Sequence, residues 1–109
     1  MIKVTITWQG DFIKQFAVKG HAGFAEAGED IYCAGVSAIT QTALLGLLEH
    51  LSDKPDYKLE NGFLTVTLPA DLSPNDQEKA QIILSTMEKG LLSIEQGYAD
   101  YLKVDIRRC

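Results

Sequence analysis

The stretch IKVTITWQGDFIKQFAVK, residues 2–19, decides the fold of this 109-residue chain. Its first part alternates hydrophobic with polar residues, and a similar alternation resumes after the turn signal at residues 9–11. A period of two residues is typical of a β-strand that buries one face. We therefore predict two strands, over residues 2–8 and 12–19, that pair as a hairpin.

The segment that follows this hairpin changes to a helical period. Between Ile31 and about Leu51, hydrophobic side chains recur at the spacing of one helix face, at Val36, Ile39, Ala43, Leu44, Leu47 and Leu51. Asp30 stands at the position of an N-cap residue, and Pro55 follows the last apolar position. The pattern predicts a helix that begins directly after Asp30 and closes in the segment 52–56.

Asn61-Gly62 divides the next segment into two strands. The pair lies between the apolar-rich runs 57–60 and 63–68, and it is the strongest short-range signal for a two-residue hairpin turn. We predict a second hairpin here.

The last third of the chain predicts one more helix and one more strand. Ser73 can cap a helix whose first residue is Pro74, and Gly97 is suited to its end. Residues 100–107 then return to a period of two. The complete order is ββαββαβ, which predicts an α+β fold: a two-layer α/β sandwich with a mostly antiparallel sheet and both helices on one face.

Composition limits the class of protein. A length of 109 residues permits one domain over 1–109, and 10 basic against 15 acidic side chains give a net charge of −5. Scattered basic residues argue against direct nucleic-acid binding, and an acidic surface favours a basic partner. We find no stretch of the length, about 18 apolar residues, that crosses a membrane, and no secretory leader. Two cysteines are too few for a disulfide framework, so we expect a cytoplasmic protein.

Cys33 is the first candidate for chemistry. The N–H groups and the dipole at a helix start stabilise negative charge, which favours the nucleophilic thiolate. His21 lies twelve residues earlier, at the other end of a loop that carries Gly20, Gly23 and Gly28. These glycines give the loop the freedom to fold back and bring the imidazole to the sulfur. We therefore consider a Cys-His dyad for acyl transfer.

Two further residues could support the dyad. Asp30 could cap the helix or orient His21, and we favour the cap because a carboxylate beside Cys33 opposes thiolate formation. Ser37 lies four residues after Cys33 and hence on the same helix face. A serine inside a helix more commonly bonds back to the backbone. The Cys33 amide and neighbouring first-turn amides are the natural oxyanion donors.

Simpler interpretations stand beside the dyad. A cysteine in an apolar helix is often a small buried hydrophobe, and a loop histidine is often a surface residue. We expect no metal, since His50 would lie about 25 Å from Cys33 along the helix. The chain could instead be a thiol redox sensor that joins Cys33 to Cys109.

The sequence resembles a known family. The stretches GHAG, residues 20–23, and GEDIYCAGVS, residues 28–37, are similar to the signature of the ribosomal-processing cysteine proteases called Prp. The resemblance extends over nearly the whole chain. One departure is Gly35, where family members commonly have alanine. Both residues are small, so the departure concerns helix stability more than chemistry.

The resemblance implies an endopeptidase of the bacterial cytoplasm without a cofactor. It would remove a short N-terminal extension from the large-subunit ribosomal protein number twenty-seven, with Cys33 as nucleophile and His21 as general base. The family resemblance also implies a homodimer. Ribosomal proteins are basic, so the acidic residues of the 20–30 loop could steer such a substrate. The alternative is a non-catalytic ribosome-assembly module whose acidic face binds a basic protein.

Overall fold

The computed structural model describes residues 1–20 and 27–108, without the side chains of residues 27–30. Within these ranges the elements are β1 (Ile2–Gln9), β2 (Phe12–Lys19), α1 (Ala27–His50), β3 (Asp56–Glu60), β4 (Phe63–Thr67), α2 (Pro74–Gly97) and β5 (Leu102–Arg108). The predicted order ββαββαβ is confirmed.

The strands form one mixed sheet in the order β3-β4-β2-β1-β5. Three of the neighbouring pairs are antiparallel, and β5 pairs with β1 in parallel. The prediction of a mostly antiparallel sheet is therefore confirmed. This order places the β1–β2 hairpin in the middle and the β3–β4 hairpin at one end, so β3 is an edge strand.

The core lies between one face of the sheet and the two helices. The sheet contributes Ile2, Val4, Ile6, Ile13, Phe16, Val18, Leu64, Val66 and Leu102, and the helices contribute Val36, Ala43, Leu44, Leu47, Ala80, Leu84, Met87 and Leu91. The alternate strand positions, among them Thr5, Thr7 and Thr65, remain partly exposed. An antiparallel sheet can face water on one side, so this polar face needs no second layer.

Helix α1 is more apolar than the sequence analysis recognised. Ile31–His50 is long and apolar enough to cross a membrane by length and composition, which corrects the expectation that no such stretch exists. In the fold, Val36 and Leu47 of this helix are almost fully buried in the core beneath the sheet. Only part of the apolar run is therefore used in the core, and other apolar residues of it, Ile31 and Leu45, are exposed.

The start of α1 differs from the prediction. The helix begins at Ala27, so Asp30 lies inside it and is not its N-cap. The physical reason is that acidic residues are favoured throughout the first helical turn as well as at the cap, because of the helix dipole. Gly28, predicted to belong to a loop, is also helical.

The start of α2 agrees with the prediction. Ser73 is extended and its hydroxyl oxygen accepts a hydrogen bond of 3.1 Å from the backbone N–H of Asp76, with Pro74 as the first helical residue. The buried Asp76 carboxylate in turn accepts bonds of 3.0–3.1 Å from the N–H groups of Ser52 and Asp53. These bonds join the segment after α1 to the first turn of α2, and they hold the pKa of Asp76 below its ordinary value.

Candidate active site

Cys33 lies in a cavity of about 200 Å³ between α1 and the end of the sheet that carries the β3–β4 hairpin. Its side chain is half-buried and packs against the core, and the thiol is free. The lining residues are Val18, Gly20, Cys33, Ser37, Thr40, Gln41, Leu59, Glu60, Asn61, Gly62, Phe63 and Leu64. Cys33 thus faces a concave space with apolar and polar walls, which is the kind of surface that holds a peptide.

Ser37 lines the same cavity, as its four-residue spacing from Cys33 predicts. No hydrogen bond joins the Ser37 hydroxyl to another described residue, so the predicted bond to the helix backbone is not observed. Thr40 makes that kind of bond instead, because its buried hydroxyl donates to the Val36 carbonyl at 2.8 Å. Among the described residues, Ser37 is thus a lining residue of the cavity whose hydroxyl has no helix-backbone acceptor.

Gly20 connects the cavity to the residues that follow β2. It has a φ of +87°, and a Cβ there would approach the Met1 carbonyl oxygen to 2.7 Å, so only glycine fits. Its N–H donates to the Gly62 carbonyl at 3.0 Å. This bond fixes the end of β2 against the hairpin turn, and the chain leaves β2 at the cavity wall.

Two predicted site residues, His21 and Gly23, lie outside the described residues, and the Asp30 side chain is likewise not described. The distance between His21 and Cys33 therefore stays untested. Of the predicted residues whose positions are described, Gly20 and Ser37 line the cavity with Cys33, whereas Gly28 lies in the first turn of α1.

The earlier helix start changes the electrostatics expected at Cys33. It is the seventh residue of α1, in the second turn, whereas unpaired amides and the effect of the dipole are concentrated in the first turn. The Cys33 amide is thus inside the helical hydrogen-bond ladder. This position favours a donor from another part of the site, and the expected role of the Cys33 amide stays a prediction.

The β3–β4 hairpin supplies the wall that the sequence analysis missed. Asn61 and Gly62 indicated a turn, and the structure places this turn beside Cys33. Gln41, on α1, adds a second carboxamide to the lining. Gln41 lies eight residues after Cys33 on the same helix, so helical spacing could have placed it on this face. No local signal could have placed the turn there, because Asn61 and Gly62 are brought to Cys33 by the pairing of β4 with β2.

A cluster of three tyrosines anchors α1 on the other side of Cys33. The Tyr32 ring lies 4.5 Å from that of Tyr98 and 4.7 Å from that of Tyr101, measured between centroids. Desolvation, followed by the two neighbouring phenols, raises the pKa of Tyr32 above its ordinary value. The cluster joins the turn that carries Cys33 to the connection between α2 and β5.

The position of β5 argues against a bond between Cys33 and Cys109. Cys109 lies outside the described residues, but it is covalently bonded to Arg108, which pairs with Trp8 and packs 4.5 Å from its ring. Val18 lines the cavity and pairs with Val4 of β1. Trp8 lies four residues farther along β1, about 13 Å from Val4. A disulfide permits only about 7 Å between Cα atoms, so this bond would require the end of β5 to leave the sheet.

Comparison with known proteins identifies the family. The family described as "Cysteine protease Prp" matches residues 1–103 of the chain. The ribosomal processing cysteine protease Prp of Bacillus subtilis is 36% identical over 107 residues, which cover 95% of this chain and 96% of the relative.

Two crystal structures of the ribosomal processing protease Prp from Staphylococcus aureus are also similar. One is a complex with a substrate peptide, with a TM-score of 0.84 and 27% identity over 98% of this chain and 100% of the other. The second holds a covalently linked product peptide, with a TM-score of 0.82 and 28% identity over the same shares. The resemblance found in the sequence is confirmed, and the chain belongs to the Prp family of cysteine proteases.

Proposed function

We propose that the protein is a cytoplasmic endopeptidase that removes the N-terminal extension of the large-subunit ribosomal protein number twenty-seven. The observation that carries this proposal is the cavity in which Cys33 and Ser37 meet Gly20, the residue bonded directly to His21. The relatives are named for ribosomal processing, and the net charge of −5 suits a basic substrate.

The reaction uses Cys33 as nucleophile and His21 as general base and acid. His21 accepts the thiol proton while the sulfur attacks the scissile carbonyl carbon, and it then protonates the leaving amine as the C–N bond breaks. The product is a thioester between Cys33 and the N-terminal fragment. Water, deprotonated by His21, attacks this thioester, and the proton returns to the sulfur as the C–S bond breaks.

The oxyanion formed in both steps requires hydrogen-bond donors. We assign this role to the side-chain amides of Gln41 and Asn61, because both line the cavity and the Cys33 amide is used by the helix. Ser37 has a hydroxyl at the same wall and supports the site by hydrogen bonding. Asp30, which is not a cap, is left with the role of orienting His21, and this stays a prediction.

We also propose a homodimer. The apolar surface available for it is a groove of about 670 Å³ on the outer side of the helix pair, lined by Ile39, Gly46, Ile83 and Gly90 among others. The polar face of the sheet is less suited to this purpose. Sedimentation equilibrium of the whole protein tests the state, and a monomer at all concentrations contradicts this part of the proposal.

Peptide cleavage tests the central proposal. The purified protein is incubated with a peptide that spans the extension junction, and the products are identified by mass spectrometry. We expect one cut, with kcat reduced by at least about 10³-fold in Cys33→Ala and in His21→Ala. Cys109→Ala is the matched control, because it removes the other thiol and should cleave normally.

The alternatives predict different outcomes. A binding module retains stoichiometric binding of the basic protein in both variants and cleaves nothing. A redox sensor loses both thiols under mild oxidation and does not depend on His21. Undiminished cleavage by either dyad variant contradicts the assigned roles.

A further inference from the structure

The outer edge of β3 is exposed and lies next to the Cys33 cavity. All five residues of β3 are exposed, and no described strand pairs with its outer side. The last two residues of this strand, Leu59 and Glu60, line the cavity together with Cys33. The edge of the sheet therefore leads directly into the candidate active site.

The register of the hairpin shows which backbone groups point outward. Glu60 and Phe63 flank a two-residue turn, so they form the hydrogen-bonded pair that closes it. Bonded and non-bonded pairs alternate in an antiparallel ladder, which makes Lys58 the next residue that bonds to β4. Tyr57 and Leu59 belong to the non-bonded pairs, and their N–H and C=O groups face away from β4.

The same two residues carry apolar side chains on the helix side of the sheet. They stand opposite Val66 and Leu64, which are buried beneath the helices. Yet Tyr57 is 51% exposed and Leu59 is 49% exposed, because α1 does not extend over the edge strand. An apolar strip thus remains uncovered beside outward-facing backbone groups.

The facing wall of this strip is the flank of α1. Gln41 lines the cavity with Leu59, and Leu45 follows one turn later on the same flank with 65% of its surface exposed. From these positions we infer a channel between α1 and β3 that continues from the Cys33 cavity, with Leu59 on one side and Leu45 on the other. Its walls are suited to apolar side chains of an extended chain.

Resting on the proposed function, we propose that the substrate binds as an added β-strand on the outer edge of β3. Its backbone pairs with Tyr57 and Leu59, and every second side chain enters the channel between β3 and α1. Two features carry the inference together: outward backbone groups and exposed apolar side chains occur at the same residues, and the strand ends at the cavity of Cys33. Affinity comes from the backbone bonds, and the choice of substrate comes from the alternate apolar side chains.

A series of N-methylated peptides tests this pairing. Each peptide is the cleavable junction peptide with a methyl group on one backbone nitrogen, and KM and kcat are measured for each. Loss of one edge hydrogen bond should raise KM by about 3- to 10-fold. We expect this increase at alternate positions on one side of the scissile bond, with little change at the positions between them.

Variants of Leu59 test the protein side. Leu59→Ala removes the apolar side chain, and Leu59→Pro also removes an outward N–H that the β4 ladder does not use, which edge strands tolerate. We expect KM to rise about 3-fold or more in Leu59→Ala and further in Leu59→Pro. Phe12→Ala is the matched control, since Phe12 is a strand residue of similar exposure, 47%, away from the cavity. Thermal unfolding checks that each variant is folded.

The outcomes separate this inference from the proposed function. In one outcome, the unmethylated peptide is cleaved normally, KM does not alternate along the methylated series, and Leu59→Pro has the same KM as Phe12→Ala. The strand-addition inference is then wrong, and the protease assignment stands. If nothing is cleaved, the proposed function fails, and calorimetric binding of the same peptides to Cys33→Ala still shows whether the alternation exists.

Discussion

The two helices have the same length, 24 residues each, but they are used differently. Helix α2 begins at a local cap and buries one stripe, Ala80, Leu84, Met87 and Leu91. Helix α1 buries its inner face, borders α2 with one flank and lines the Cys33 cavity with the other. Helix α2 therefore mainly stabilises the fold, whereas the first half of α1 also forms part of the Cys33 cavity.

The largest effect should come from the buried stripe of α2. Leu84→Ala removes a side chain that is only 1% exposed, so we expect the free energy of unfolding to fall by about 2–5 kcal/mol. Urea denaturation measures the loss. Lys89→Ala, on the exposed side of α2, should cost less than about 0.5 kcal/mol. Peptide cleavage per folded molecule should be unchanged in both variants. Equal losses in the free energy of unfolding would contradict the conclusion that the buried stripe of α2 stabilises the fold.

Asp76→Asn should have the next effect, and this effect should depend on pH. The bonds from Asp53 and Ser52 hold the pKa of Asp76 below its ordinary value of 3.8. Its stabilising contribution is therefore complete above pH 3.8 and is lost as the pH falls through the lower pKa of the folded state. Stability curves of both proteins from pH 7 to pH 2 should differ at neutral pH and converge in acid. A difference that stays constant to pH 2 would exclude this role.

Ser73→Ala tests the cap of α2 with a smaller change. It removes the acceptor of the Asp76 N–H, so we expect a loss of about 1 kcal/mol in the free energy of unfolding. Ser93→Ala is the control, because Ser93 is exposed inside the same helix and alanine is the better helix former. Chemical denaturation should show a loss for the first variant and none for the second. Similar values for the two would mean that the cap contributes little.

The smallest effect is expected in α1 and has the opposite sign. A Cβ at Gly35 meets no described atom within 4 Å outside its own stretch of helix, so Gly35→Ala should stabilise the protein by roughly 0.5–1 kcal/mol through helix propensity. Cleavage should be retained. Gly20→Ala is the contrasting variant, since its positive φ and its contact with Met1 should lower both stability and activity. If Gly35→Ala instead lowered the free energy of unfolding, the site would leave less room for a side chain at this turn of α1 than we expect.

Local patterns predicted much of the scaffold. The bounds of β2 agree with the prediction, and the cap and first residue of α2 were found because Ser73 and Pro74 act on their immediate neighbours. The start of α1 was wrong by four residues. An aspartate favours either the cap or the first turn, and neighbouring residues alone do not decide between these positions.

The sequence by itself determined the order of the elements, the buried faces of the strands and the residue Cys33 as the candidate nucleophile. These features follow from periodicity, capping and residue chemistry, which operate over a few positions. Only the tertiary structure decided that the turn at Asn61 forms the wall opposite Cys33 and that β3 is left at the edge. The reason is that both depend on β4 pairing with β2, a contact between distant parts of the chain whose free energy is shared by the whole core.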